Sequence, residues 1–212
     1  VSEAAGGILP EAAEGRFPPA DGEVTVVGRP DVREEGVVAF TAHSVVFTAL
    51  DPEWLRAELA ATDSDRLAAA MHPGFRAALM ARTGRRMDTL DLVTVADALP
   101  GPPEIALREI EDREHPCVKA ASKRRGDVRV WVTDGGVLVL GRGLTGRWEV
   151  AVEIDEEARG RGLGPRLAVA ARHPAPGPVV WSQQSPGNAR SVRAFQRAGY
   201  RPVASEAVLT AR

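Results

Sequence analysis

The run Leu99-Pro100-Gly101-Pro102-Pro103 constrains this chain more than any other stretch. Its prolines fix φ and remove backbone donors, so neither a helix nor the middle of a sheet passes through it. It sets the expected domain boundary in a chain of 212 residues, long enough for one large domain or two small ones. Before the boundary, residues 1–22 read as a flexible lead, broken by Gly6-Gly7, Pro10, Gly15, Pro18-Pro19 and Gly22. Residues 23–98 read as a smaller α/β segment. It has strand-like runs at Glu23–Val27, Gly36–Phe40, Ser44–Ala49 and Leu90–Val95. Asp51-Pro52 is a helix start leading into Trp54–Ala61, and a second helix, Pro73–Thr83, is stopped by Gly84.

After the boundary the pattern predicts strands at Ile105–Ile110, Asp127–Thr133, Val137–Gly141, Trp148–Ile154 and Val179–Ser182, with a last strand around Val203–Leu209. Helices are predicted near Pro116–Lys123, at Gly162–Arg172 and at Asn188–Ala198. Strands alternating with amphipathic helices indicate an α/β or α+β fold, a mixed sheet with flanking helices and at least one crossover.

Composition narrows the chemistry. Hydrophobic residues make up 44% and charged residues 26%, ordinary for a soluble globular chain. A formal charge of −2 gives no electrostatic reason to expect nucleic acid or an acidic membrane surface as partner. Cys117 is the only cysteine, and the histidines (His43, His72, His115, His173) lack ligand spacing, so no metal site is expected. No apolar run approaches about 18 residues, and the default expectation is a reduced, cytoplasmic protein. The composition is compatible with a homodimer.

The chemistry concentrates where Glu153-Ile154-Asp155-Glu156-Glu157-Ala158-Arg159-Gly160-Arg161-Gly162-Leu163-Gly164 runs from a strand into a helix. Glycines let the backbone approach a ligand closely, and a helix start offers unpaired N–H groups and the positive dipole end, which suit phosphate. A Gly-rich turn is weak evidence alone. Gly141-Arg142-Gly143-Leu144 repeats the letters of Gly160–Leu163, yet it lies between two strands, where a hairpin turn is the natural reading. A dinucleotide fingerprint would follow the first strand of its domain and carry an acidic residue about 20 positions on; a P-loop would need G-K-S/T. Neither is present here.

Spacing beyond the turn decides between the alternatives. Arg159-x-x-Gly162-x-Gly164 resembles the pyrophosphate motif of the GNAT N-acetyltransferase superfamily. Asn188-Ala-Arg-Ser191-Val-Arg-Ala-Phe195-Gln-Arg-Ala-Gly199-Tyr200 is similar to that family's next conserved helix. The resemblance covers roughly residues 104–212 and implies a GNAT-like acyl-CoA-binding domain. It implies acetyl-CoA (CoA) as the acyl donor and transfer to an amine of an unidentified small molecule or peptide. A non-catalytic acyl-CoA sensor or interaction module is the alternative. The strand before the turn, Trp148–Ile154, would splay from its neighbour to admit the pantetheine arm. The backbone N–H of Ile154 would meet the thioester oxygen, a catalytic contribution of the oxyanion-hole kind. Arg159, Gly160, Arg161, Gly162, Leu163 and Gly164 would hold the pyrophosphate, and Asn188 and Ser191 the pantetheine arm. Residues 23–98 would shape the acceptor side.

Several positions depart from the family pattern. Pro165 follows Gly164 and has no N–H to give a phosphate. Phe195 stands where the family often has a Tyr acid, and Gln183 where some members have a Glu base; neither side chain can do those jobs. Replacement bases are Glu149 and Glu153, which share one face of their strand; an ion pair with a nearby arginine is the competing reading. Glu206 is a weaker site candidate. His43, His115 and Cys117 read as structural, and Trp131, Trp148 and Trp181 as sheet packing, with Trp148 also able to line an acceptor pocket. The basic run Lys119–Arg125 reads as a solvated face or as a contact for the CoA 3′-phosphate.

Overall fold

The computed structural model describes residues 2–28, 34–67, 69–123 and 125–211, and for residues 2–6 the backbone alone. The chain divides into two units, Val1–Leu92 with Val203–Arg212, and Val93–Pro202.

In the first unit part of the lead expected to be flexible is helical. Ser2–Ala13 forms helix α1, which contains Pro10 and buries Leu9, Ala12 and Ala13. Burial of that apolar face outweighs the Gly and Pro punctuation that predicted disorder. Strands β1 (Val24–Val27), β2 (Glu34–Phe40) and β3 (His43–Phe47) and the last strand, β10 (Arg201–Thr210), lie in the order β1-β3-β2-β10. β1 runs parallel to β3, and the other pairs are antiparallel. Helix α2 (Pro52–Ala60) starts as its sequence dictates, with the Asp51 carboxylate accepting from Glu53 N–H and Pro52 in the first turn. Helix α3 spans Pro73–Thr83 and ends at Gly84, whose φ of 67° no β-branched residue would tolerate. Leu55, Phe75 and Leu79 from these helices close over Val37, Val46, Ala207 and Leu209.

The second unit carries β4 (Asp91–Asp97, from Val93 on), β5 (Arg108–Glu109), β6 (Gly126–Thr133), β7 (Gly136–Arg142), β8 (Trp148–Ile154) and β9 (Val179–Gln184). They lie in the order β4-β9-β8-β7-β6-β5. Helices α5 (Leu163–Ala170) and α6 (Ala189–Arg197) cover one face: Leu167, Ala168 and Phe195 meet Leu138, Leu140, Val150 and Val180. Helix α4 (Pro116–Ser122) covers the other, with Val118 and Ala121 against Val130, Val137 and Val139. The mixed sheet with flanking helices is the fold class the alternation predicts.

Two expectations need correction. The Pro-rich run at 99–103 is not where the units part. The last strand returns to pair with β2, Ser205↔Ala39 through Thr210↔Glu34, which moves it out of the C-terminal half. The strand expected over Ile105–Ile110 shrinks to the two residues of β5, an edge piece with a partner on one side only. No described helix is long and apolar enough to cross a membrane.

Candidate functional site

β8 and β9 start together and then part. They are parallel, and their register contains only Glu149↔Trp181 and Val150↔Ser182. At the last rung the Ser182 hydroxyl donates to the Val150 carbonyl at 3.2 Å, and the Gln184 amide donates to the Ser182 hydroxyl at 2.7 Å. These buried side chains satisfy polar groups where the backbone ladder stops. Beyond them, Ala151–Ile154 remain paired with β7 and have no partner in β9.

The β7 pairing also fixes which way Ile154 faces. Ile154 lies opposite Gly136, and the next residue, Asp155, donates its N–H to the Gly135 carbonyl at 3.0 Å. Successive residues of an antiparallel strand turn their backbone groups to opposite sides. Ile154 therefore points its N–H and C=O away from β7, into the gap beside β9. Its carbonyl is found there, accepting from Arg159 Nε at 3.3 Å. The site expected for an acyl-carbonyl donor thus has its N–H directed into an open space.

That space is a cleft of about 870 Å³, lined by Val152, Glu153 and Ile154 from β8, the turn from Ala158 to Pro165 apart from Arg161, and α6. In the turn, Gly160 and Gly162 both have φ of 79°, and a Cβ on either would meet nothing within 4 Å. Glycine is required there by the sign of φ, while the space outside stays open. Gly162 caps α5 in left-handed conformation, so the N–H groups of Leu163 and Gly164 open the helix without side-chain partners. Pro165 occupies the third helical position and contributes none. Gly164 brings α5 close to α6: its Cβ would lie 3.7 Å from that of Ala194.

Of the residues named from sequence, Glu153, Ile154, Arg159, Gly160, Gly162, Leu163, Gly164, Asn188 and Ser191 all line the cleft. Arg161 is exposed in the same turn but is not part of the lining. Asn188 caps α6, its side-chain oxygen accepting from Ser191 N–H at 3.1 Å, which leaves its amide donors for a ligand. Arg190, Arg193, Ala194 and Arg197 line the cleft too, from one face of α6. Motif letters alone passed over these arginines; their i, i+3, i+7 spacing was the available signal.

Glu149 is not brought to the cleft, which corrects its assignment as a base. Its carboxylate is 4% exposed and accepts from Arg147 Nε at 2.8 Å and Arg125 Nε at 3.3 Å. A carboxylate held by two guanidinium groups has its lone pairs engaged and serves the fold. Gln183 joins that network, accepting from Arg125 at 3.4 Å. Phe195 is buried, edge-on to Tyr200 with ring centroids 4.9 Å apart. The Tyr200 hydroxyl is no substitute acid. It donates to the Ala168 carbonyl at 3.2 Å, and burial pushes its pKa well above the ordinary tyrosine value.

The remaining candidates fall outside the cleft. His43 is buried between Asp21 and Thr25, at 2.9 and 3.0 Å, and holds the Asp21 carboxyl below its usual range. His115 caps α4, accepting from Cys117 N–H, and Cys117 packs beside that helix. Glu206 is buried in β10, in the first unit. Trp131 and Trp181 are buried, and Trp148 is half-buried beneath Arg142, 4.4 Å from its ring centroid. Lys119 pairs with Glu114 at 2.5 Å on α4, across the sheet from the cleft; Arg124, in the same basic run, lies outside the described residues.

No family model and no curated protein matches the sequence. Solved structures similar in fold include N-acetyltransferases of the family the two motifs resemble. A GCN5-related N-acetyltransferase from Sphaerobacter thermophilus superposes with a TM-score of 0.40 and 14% identity, over 65% of this chain and 56% of that one. The chain thus spans little more than half the length of that protein. A GCN5-related N-acetyltransferase from Kribbella flavida gives 0.40 and 17%, over 99% of this chain and 95% of the other. A GNAT-family acetyltransferase from Colwellia psychrerythraea gives 0.42 and 8%, over 80% and 76%.

Proposed function

We propose that the second unit binds acetyl-CoA in the gap between β8 and β9 and transfers its acyl group directly to an amine. One observation carries the reading. The ladder stops after Val150↔Ser182, the Ile154 N–H turns into the opening, and a helix-opening glycine turn follows within ten residues. Backbone N–H groups at the α5 start, the open space outside Gly160 and Gly162, and the Arg159 guanidinium fit a diphosphate. The unpaired edge of Ala151–Ile154 fits an extended amide-bearing arm laid alongside it.

In the reaction the amine nitrogen bonds to the thioester carbon, the carbon–sulfur bond breaks, and the amine loses a proton. Ile154 N–H stabilises the oxygen as charge develops on it, a contribution often worth about 3 kcal/mol for one such donor. Glu153, exposed at the cleft, takes the amine proton, directly or through water. Departure of the thiolate proceeds without a protein acid. A thiol has a reference pKa of about 8.5, so at neutral pH its protonation is a small part of the barrier.

A second reading, an acyl-CoA sensor without catalysis, is favoured by the buried Phe195 and by the removal of Glu149 into an ion pair. Acetyl-CoA offered with pooled amines, polyamines, aminoglycosides or peptides separates the two readings. Free thiol appearing with one pool supports transfer; binding without thiol release in any pool supports the sensor. The proposed part of the first unit in acceptor choice is tested in the whole chain, because a fragment of 104–212 would carry β10 without β2, the strand it pairs with.

A further inference from the structure

Arg190, Arg193 and Arg197 form a strip along the face of α6 that borders the cleft. Buried Phe195 and Ala198 pin the opposite side of the helix, so the strip cannot turn away. None of the three arginines forms an ion pair among the described residues, and Glu153 is the only carboxylate in the cleft lining. The arrangement works against the helix itself. Arg190 sits in the first turn, at the positive end of the dipole, and Arg190/Arg193 and Arg193/Arg197 are like-charge neighbours at i, i+3 and i, i+4. A merely solvated face would gain from an interleaved acid, and this one has none.

The strip is also longer than a diphosphate needs. Arg197 lies seven helical steps beyond Arg190, about 10 Å at 1.5 Å per residue. A diphosphate at the α5 turn is already met by Arg159 and the backbone N–H groups. Resting on the acetyl-CoA reading, we infer that the α6 strip binds a further phosphomonoester, the 3′-phosphate that distinguishes CoA from dephospho-CoA. A phosphomonoester carries close to two negative charges at neutral pH and accepts several guanidinium hydrogen bonds. The role considered for the basic run on α4 thus passes to α6, the helix that borders the cleft.

Calorimetric titration of the whole chain with CoA and with dephospho-CoA, at low salt, tests this. Wild type should bind CoA about tenfold more tightly, roughly the weight of a charge-assisted contact. The triple variant Arg190→Gln, Arg193→Gln, Arg197→Gln should bring the two affinities within about twofold, with a melting temperature no lower than that of wild type. Arg193→Gln alone should reduce the preference partway, which keeps the test open if the triple variant misfolds. Lys119→Gln with Lys123→Gln, on α4 and at its C-terminal cap, should leave the preference intact. Equal affinities in wild type, or a preference that survives in the folded triple variant, would overturn the inference. Failure of wild type to bind either compound would instead remove the acetyl-CoA reading on which it rests.

Discussion

Gly141–Leu144 and Gly160–Leu163 spell the same four letters and use their glycines for opposite reasons. In the first, a Cβ on Gly141 would lie 2.8 Å from that of Arg125, and a Cβ on Gly143 would lie 2.1 Å from the Glu149 carboxylate. Gly143 has a negative φ of −106°, so backbone conformation does not demand glycine there. The demand comes from the arginine–glutamate cluster packed against it. In the second, both glycines have positive φ and nothing stands where a Cβ would go. One turn is small because its neighbours fill the space, the other because its backbone is left-handed and the space is vacant. Only the second arrangement leaves backbone N–H groups accessible to a ligand.

Substitutions can break this contrast. Gly143→Ala should have the largest effect on folding, because the new methyl expels Glu149 from its two arginines. Breaking a buried pair costs about 3–5 kcal/mol, or roughly 10 °C or more in melting temperature for a chain of this size. A wild-type melting curve for Gly143→Ala would mean the first turn has slack. The carboxylates beside the two turns should divide in the same way. Glu149→Gln should lower the melting temperature, while Glu153→Gln should leave it alone and slow transfer about 10²-fold, the low end for a general base. With no acid at Phe195, the rate should rise with pH and level off. A descending alkaline limb in kcat would contradict that account. Gly162→Ala should cost less in folding than Gly143→Ala, about 1–2 kcal/mol for a left-handed alanine, yet should weaken acetyl-CoA binding measurably. If it weakens folding alone, the second turn is as structural as the first.

Legibility in the sequence followed the range of the interactions involved. Helix α3 and strand β8 have the ends read from their residues, because Pro73, Gly84 and the alternation of Trp148–Ile154 act locally. The glycine turn and Asn188 were legible for the same reason, as spacing along a short stretch. Helix α1 was not, since the burial of Leu9, Ala12 and Ala13 depends on distant parts of the chain. The unit boundary was missed because β10 pairs with a strand about 170 residues earlier, which no local signal reports. Glu149 read as a base because its strand neighbours were visible and Arg125, 24 residues away, was not. The arginines of α6 were visible as letters, but their shared face matters only once the cleft beside them is known.

The measurement that bears most directly on the account is calorimetric titration of acetyl-CoA into wild type and Gly164→Trp, with a melting curve for each. Gly164 borders the cleft where α5 approaches α6, and an indole there fills the space assigned to the diphosphate. The account predicts binding to wild type, no detectable binding to Gly164→Trp, and melting temperatures within a few degrees of each other. Equal affinity in wild type and a folded Gly164→Trp variant would contradict it.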